Sequence, residues 1–119
     1  MFNSILKFLK QVWARLKKIL VAIVNFFRNI ADWFRAKFLK VKKKHPNAKP
    51  ISLKIEEDLQ SGNYNTMDLG LERKYAVVNT FFDEDTREII EEETEVIQSD
   101  ILDAETIKAF GDKEMLVLS

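Results

Sequence analysis

The sequence predicts an α+β fold: a long N-terminal amphipathic α-helix, a hinge, and a small antiparallel β-rich domain with one short helix. Three observations carry that expectation. Apolar residues recur with a period near 3.6 from residue 2 to residue 36. From Ile51 onward the pattern changes to short alternating runs rich in aromatic and β-branched residues. The charges divide at the same place: residues 1–44 hold 12 basic residues and one acid, Asp32, whereas residues 45–119 hold 7 basic and 18 acidic residues. The formal net charge of zero therefore conceals halves of +11 and −11. The expected division is a basic helix at 1–40, a hinge at 41–50 and an acidic β-rich domain at 51–119.

Projected at 100° per residue, Phe2, Ile5, Phe8, Leu9, Val12, Leu16, Ile19, Ile23, Phe26, Phe27, Ile30, Trp33 and Phe34 fall in one half of the circle. Leu6, Trp13, Leu20 and Val24 lie near its border, and Val21 is the one clear apolar intruder on the polar side. No Gly or Pro interrupts the run, which would be roughly 50 Å long as one helix. Asn3 or Ser4 suits its start, and a hairpin broken near Asn25 or Asn29 is the alternative, although neither site has turn chemistry. An apolar face this wide exceeds the narrow seam of a two-stranded coiled coil, so it calls for a bundle, a broad groove or a lipid interface.

The hinge VKKKHPNAKP carries two prolines and no apolar period. Ile51–Glu56 alternates as a half-buried strand, and residues 57–70 contain Ser61-Gly62-Asn63, which is turn chemistry. Residues 73–82, RKYAVVNTFF, form the strongest strand pattern in the chain. Residues 83–86 make a turn. Residues 87–98 then return as a hairpin strand, with a helix starting at Asp85 as the alternative. Asp103 caps a short helix stopped by Gly111, and residues 114–118 close the domain as a strand.

The chemistry that the sequence excludes is broad. It has no cysteine, so disulfides, cysteine-ligated zinc and thiol catalysis are impossible. Its three glycines are too scattered for a P-loop or dinucleotide fingerprint. The lone His45 sits in the lysine-rich hinge and reads as a solvated loop residue. Asp83, Glu84 and Asp85 fail the calcium-loop pattern, because Glu88 stands where glycine is required. No cofactor, metal or catalytic residue is expected, and the chain reads as a non-enzymatic protein.

What remains is binding. The expected anchors are Trp13, Phe26, Phe27, Trp33 and Phe34, and the expected electrostatic contacts are Lys10, Lys17, Lys18, Arg28, Arg35, Lys42, Lys43 and Lys44. Three counterparts suit a +11 segment: anionic lipid, nucleic acid, and the acidic half of this chain or of a neighbouring copy. The leading expectation is a peripheral membrane protein on the cytoplasmic side. The alternative is a self-assembling structural component, of virion or injection-machine type, whose helices pack with partner helices in a homo-oligomer or larger assembly. Nucleic acid is disfavoured, because the aromatic and basic faces oppose each other and cannot converge on one strand. The longest uncharged run, Ile19–Phe27, is too short to cross a bilayer and short for a secretory signal, and no small-residue cleavage site follows it.

Overall fold

The computed structural model describes residues 2–56 and 70–118. In chain order these form α1 (Phe2–Val12), a 3-10 turn (Trp13–Arg15), β1 (Lys17–Leu20), a π-helical turn (Phe26–Ala31), α2 (Asp32–Lys44) and β2 (Ala48–Glu56). There follow β3 (Tyr75–Asp83), β4 (Glu88–Ile89), a second 3-10 turn (Glu91–Glu93), β5 (Glu95–Ser99), α3 (Ala104–Phe110) and β6 (Met115–Val117). One sheet runs in the order β1-β5-β3-β2-β6, and β4 pairs with the far end of β3. The α+β class stands, in a form different from the expected one.

The first correction concerns the long N-terminal helix. It is two helices, the longer of 13 residues, separated by a strand. The cause lies in Lys17–Val24, KKILVAIV, a β-branched run that lines the open edge of β5 in parallel register, Lys17 opposite Glu95 through Leu20 opposite Gln98. Val21, the intruder on the helical projection, packs on the same cluster as Ile19. A spacing of two is a strand period. The second correction follows, because the β1–β5 pair makes the sheet mixed rather than antiparallel.

The break also accounts for the width of the apolar face. Ile5, Leu9, Val12 and Leu16 pack on one side of the sheet against Ile51, Leu53, Ala76, Val78 and Phe82. Ile30, Phe34 and Val41 pack on the other side, with Val77, Phe81, Ile97 and Phe110. What looks like one broad stripe in sequence is two narrow ones serving opposite faces of a three-layer structure. No helix among the described residues is long and apolar enough to cross a membrane.

The second helix starts near Asn25, where the sequence offered only a weak alternative break. The Asn25 side chain accepts from the Arg28 amide at 2.9 Å, and the Asn25 amide donates to Asn29 Oδ1 at 2.8 Å, a reciprocal cap. Buried Asn79 of β3 ties the π-helical turn to the sheet by donating to the Asn29 carbonyl at 2.7 Å, while accepting from Ser52 Oγ at 2.9 Å. The expected hinge residues hold the last turn of α2, a turn at His45–Asn47 and the start of β2.

Elsewhere the elements lie near their expected places. Residues 88–99 return along β3 as the preferred hairpin, interrupted by the 3-10 turn. Asp103 caps α3, and Gly111 follows it at φ +54°. The turn expected at 57–70 falls almost wholly outside the described residues. Asp103 does more than cap its helix: its carboxylate also accepts from the Phe26 amide at 3.2 Å. Burial pushes the Asp103 carboxyl up, but bonds from the Thr106 hydroxyl and amide and from the Phe26 amide hold it below its ordinary value. Replacing Asp103 with alanine is expected to cost about 1–2 kcal/mol. Urea titration should show a lower midpoint at unchanged slope.

Candidate functional site

Charge sorts the N-terminal segment before any ligand is considered. The 3-10 turn at Glu91–Glu93 and the start of β5 present three acids to three basic elements. Arg15 meets Glu91 at 2.7 Å, Lys17 meets Glu95 at 3.7 Å, and Lys37 and Lys40 of α2 reach Glu93 at 3.2 and 2.9 Å. The Arg15 hydrogen bond holds the Glu91 carboxyl below its usual range. Burial raises Glu93, and the bonds and charges of Lys40 and Lys37 outweigh it, so the net shift is downward. Part of the +11 and −11 therefore cancels within the chain.

The thirteen residues expected to act together are distributed over three regions. Trp13 is half-buried against the α1-side core, and Lys18 lies over its ring at 5.4 Å while donating to the Trp13 and Leu16 carbonyls. Lys10 is exposed on α1. Lys17 sits on the edge strand with Glu95. Phe34 is buried, and Trp33 stacks on Phe81 at 6.0 Å, so both belong to the core on the α2 side. Phe26, Phe27, Arg28, Arg35 and Lys42–Lys44 remain on the π-turn and α2, at or near the surface.

Two of these, Phe26 and Arg35, line an open groove of about 690 Å³ between α2 and β6. Phe26 and Phe34 form its base, Arg35, Phe38 and Leu39 one wall, and Val117 and Leu118 the other. Phe27 stands beside Phe26 with ring centres 5.6 Å apart and is 58% exposed, and Leu39 is 74% exposed. Lys42 lies over the Phe38 ring at 5.6 Å and donates to the Pro46 carbonyl. Arg35 pairs with Asp32 at 2.8 Å along its own helix, whereas Lys43 and Lys44 have no ion-pair partner among the described residues. The result is an apolar trough with a basic helix along one side.

Sequence reasoning missed Phe38, Leu39, Val117 and Leu118 as surface residues. Two signals were present. The Phe38-Leu39 pair lies outside the main stripe and directly before the lysine cluster, and the run MLVL lacks the charge that usually guards an edge strand.

His45 departs from its expected solvated state. It is half-buried, with Nδ1 at 2.8 Å from Asp83 Oδ2. That bond, together with the Asp85 amide, holds the Asp83 carboxyl below its ordinary value. The pair locks the α2–β2 turn onto the end of β3. Among the described residues no set of three or more His, Cys, Asp or Glu side chains is placed to hold a metal ion. Comparison with known proteins returns no match to a family, to a curated protein or to a solved structure.

Proposed function

We propose that the protein is a non-enzymatic docking protein that binds an anionic membrane interface through the outer side of α2. The observation that supports this reading is the run of solvent-facing apolar and basic groups along the π-turn and α2: Phe27, Phe38 and Leu39 beside Arg28, Arg35 and Lys42–Lys44. The apolar groups suit the acyl boundary, and the cations suit phosphate headgroups, each adding about 1 kcal/mol near such a surface. The docking surface is a small patch of a folded domain, so binding is shallow and depends strongly on lipid charge.

Vesicle flotation tests the proposal. The chain is expected to float with vesicles containing anionic lipid and to float weakly with zwitterionic ones. Substituting glutamine for Lys42, Lys43 and Lys44 together should weaken binding roughly a hundredfold. Lys10→Gln, on the α1 side of the sheet, should leave it nearly unchanged. Circular dichroism should show little added helix on binding, because α1 and α2 are already packed. Equal loss in the Lys10 variant, or no flotation with either vesicle, would refute this surface.

A further inference from the structure

The geometry points to a second copy of this chain as the occupant of the β6 edge, in an antiparallel two-fold pairing that joins two sheets into one. This inference is independent of the membrane reading and rests on the backbone.

β6 is the last strand on its side of the sheet among the described residues. Its inner side is fixed by register: Ile51 opposes Val117, Ser52 opposes Leu116 and Leu53 opposes Met115. The Lys54 amide donates to the Glu114 carbonyl at 2.9 Å, and the Leu118 amide donates to the Pro50 carbonyl at 2.8 Å. Polar backbone groups alternate sides along a strand, so Met115 and Val117 turn their N–H and C=O outward. Nothing described meets them, and no charged side chain lies within Met115–Leu118 to discourage pairing.

This edge is self-complementary. With a two-fold axis at Leu116, Met115 of each copy faces Val117 of the other, and both pairs exchange N–H···O=C bonds using the outward groups. Leu116 faces its own equivalent in the wide, non-bonded position. The axis stands perpendicular to the sheet, so the α2 sides of both copies share one face. Glu114 then falls opposite Leu118 of the other copy, at the mouth of the groove where Arg35 lines the wall. Glu114 has no ion-pair partner among the described residues, and Arg35 is paired with the exposed Asp32 of its own helix, so the pairing sets one more carboxylate on the side of the groove that carries the guanidinium. Half-exposed Val117 and Leu118 are covered by the same contact. An unguarded edge and a matching hydrogen-bond phase thus agree on one register.

Analytical ultracentrifugation in lipid-free buffer, with a single-cysteine cross-link, tests the interface. The full chain is expected to sediment at about twice its 13.9 kDa mass as concentration rises. Val117→Lys, which places a charge at the paired edge, should lose the dimer while far-UV circular dichroism stays native. The chain has no cysteine of its own, so Leu116→Cys provides a register probe. Facing non-bonded residues have Cα atoms about 4.5 Å apart, inside the range a disulfide spans. This variant should form a disulfide dimer under mild oxidation much faster than Ile107→Cys, on the exposed side of α3. A monomer at every concentration overturns the inference. A dimer that survives Val117→Lys, or equal cross-linking at both cysteines, also overturns it. If Val117→Lys fails to fold, the cysteine comparison decides alone.

Discussion

Phe81→Ala is expected to destabilise the protein by about 3–5 kcal/mol. Phe81 is fully buried at the centre of the α2-side core, with Trp33 stacked at 6.0 Å and Phe34 edge-on at 5.4 Å. Removing the ring leaves a cavity between the sheet and α2 and leaves Trp33 and Phe34 with only each other as ring partners. A domain of this size should lose roughly 10–20 °C of melting temperature. Tryptophan emission gives a local readout. Trp33 should shift to the red, whereas Trp13, on the opposite side of the sheet, should not. Single-tryptophan versions of the variant separate the two signals. A loss below about 1 kcal/mol would mean that α2 is not docked on Phe81.

Glu93→Lys is expected to be the next most damaging substitution. Glu93 is buried and receives both Lys37 and Lys40, so reversal places three cations together at the edge of the core. Breaking a fully buried pair costs about 3–5 kcal/mol. Lys40 remains largely exposed and solvent screens it, so about 2–3 kcal/mol is the expectation here. The same contact sets part of the acid limit of the fold. The carboxyls of Glu93, Asp83, Glu91 and Asp103 all titrate below their ordinary values in the folded chain. A depressed folded pKa means that the unfolded chain binds protons first. Their contribution is therefore complete above the unfolded values near 4 and is lost as pH falls through the folded ones. Denaturant midpoints measured from pH 6 down to pH 2 should drop most steeply below about pH 4. Glu93→Gln should make that fall shallower while lowering stability at neutral pH.

How much of this was legible beforehand is clearest from individual residues. Asp103 and Gly111 fixed α3, because a cap and a left-handed stop act within a few positions and need no tertiary partner. The strand at 75–83 was legible for a similar reason, since its aromatic and β-branched residues suit a sheet wherever it packs. The break at Lys17–Leu20 was not. Its apolar residues satisfy a helical projection nearly as well as a strand, and the deciding factor, the open edge of β5, lies almost eighty positions away. The division of the anchor set between core and surface was hidden for the same reason. Phe34 and Trp33 suit a lipid interface by type, yet Phe81 claims both. The groove beside α2 depends on β6 arriving from the other end of the chain. The charge division was plain in the sequence, but which acid would meet which base depended on the 3-10 turn that aims Glu93 at α2.

The parallel pairing of β1 with β5 also bears on the order in which the chain can mature. Lys17 cannot meet its register partner until Glu95 has been synthesised. At ordinary elongation rates that interval is on the order of ten seconds. Until β2 and β3 have been made, Ile5, Leu9, Ile30 and Phe34 have no sheet to cover them, and the β1 side stays unsecured until β5 follows. The most apolar third of the protein thus emerges before the strands that cover it. Its partners lie far away in sequence, and contacts of that kind form more slowly than local helix. The nascent chain should therefore bind chaperones through residues 2–34 and release them only once β5 has formed. Truncation before Glu95 should turn that passing dependence into a permanent one.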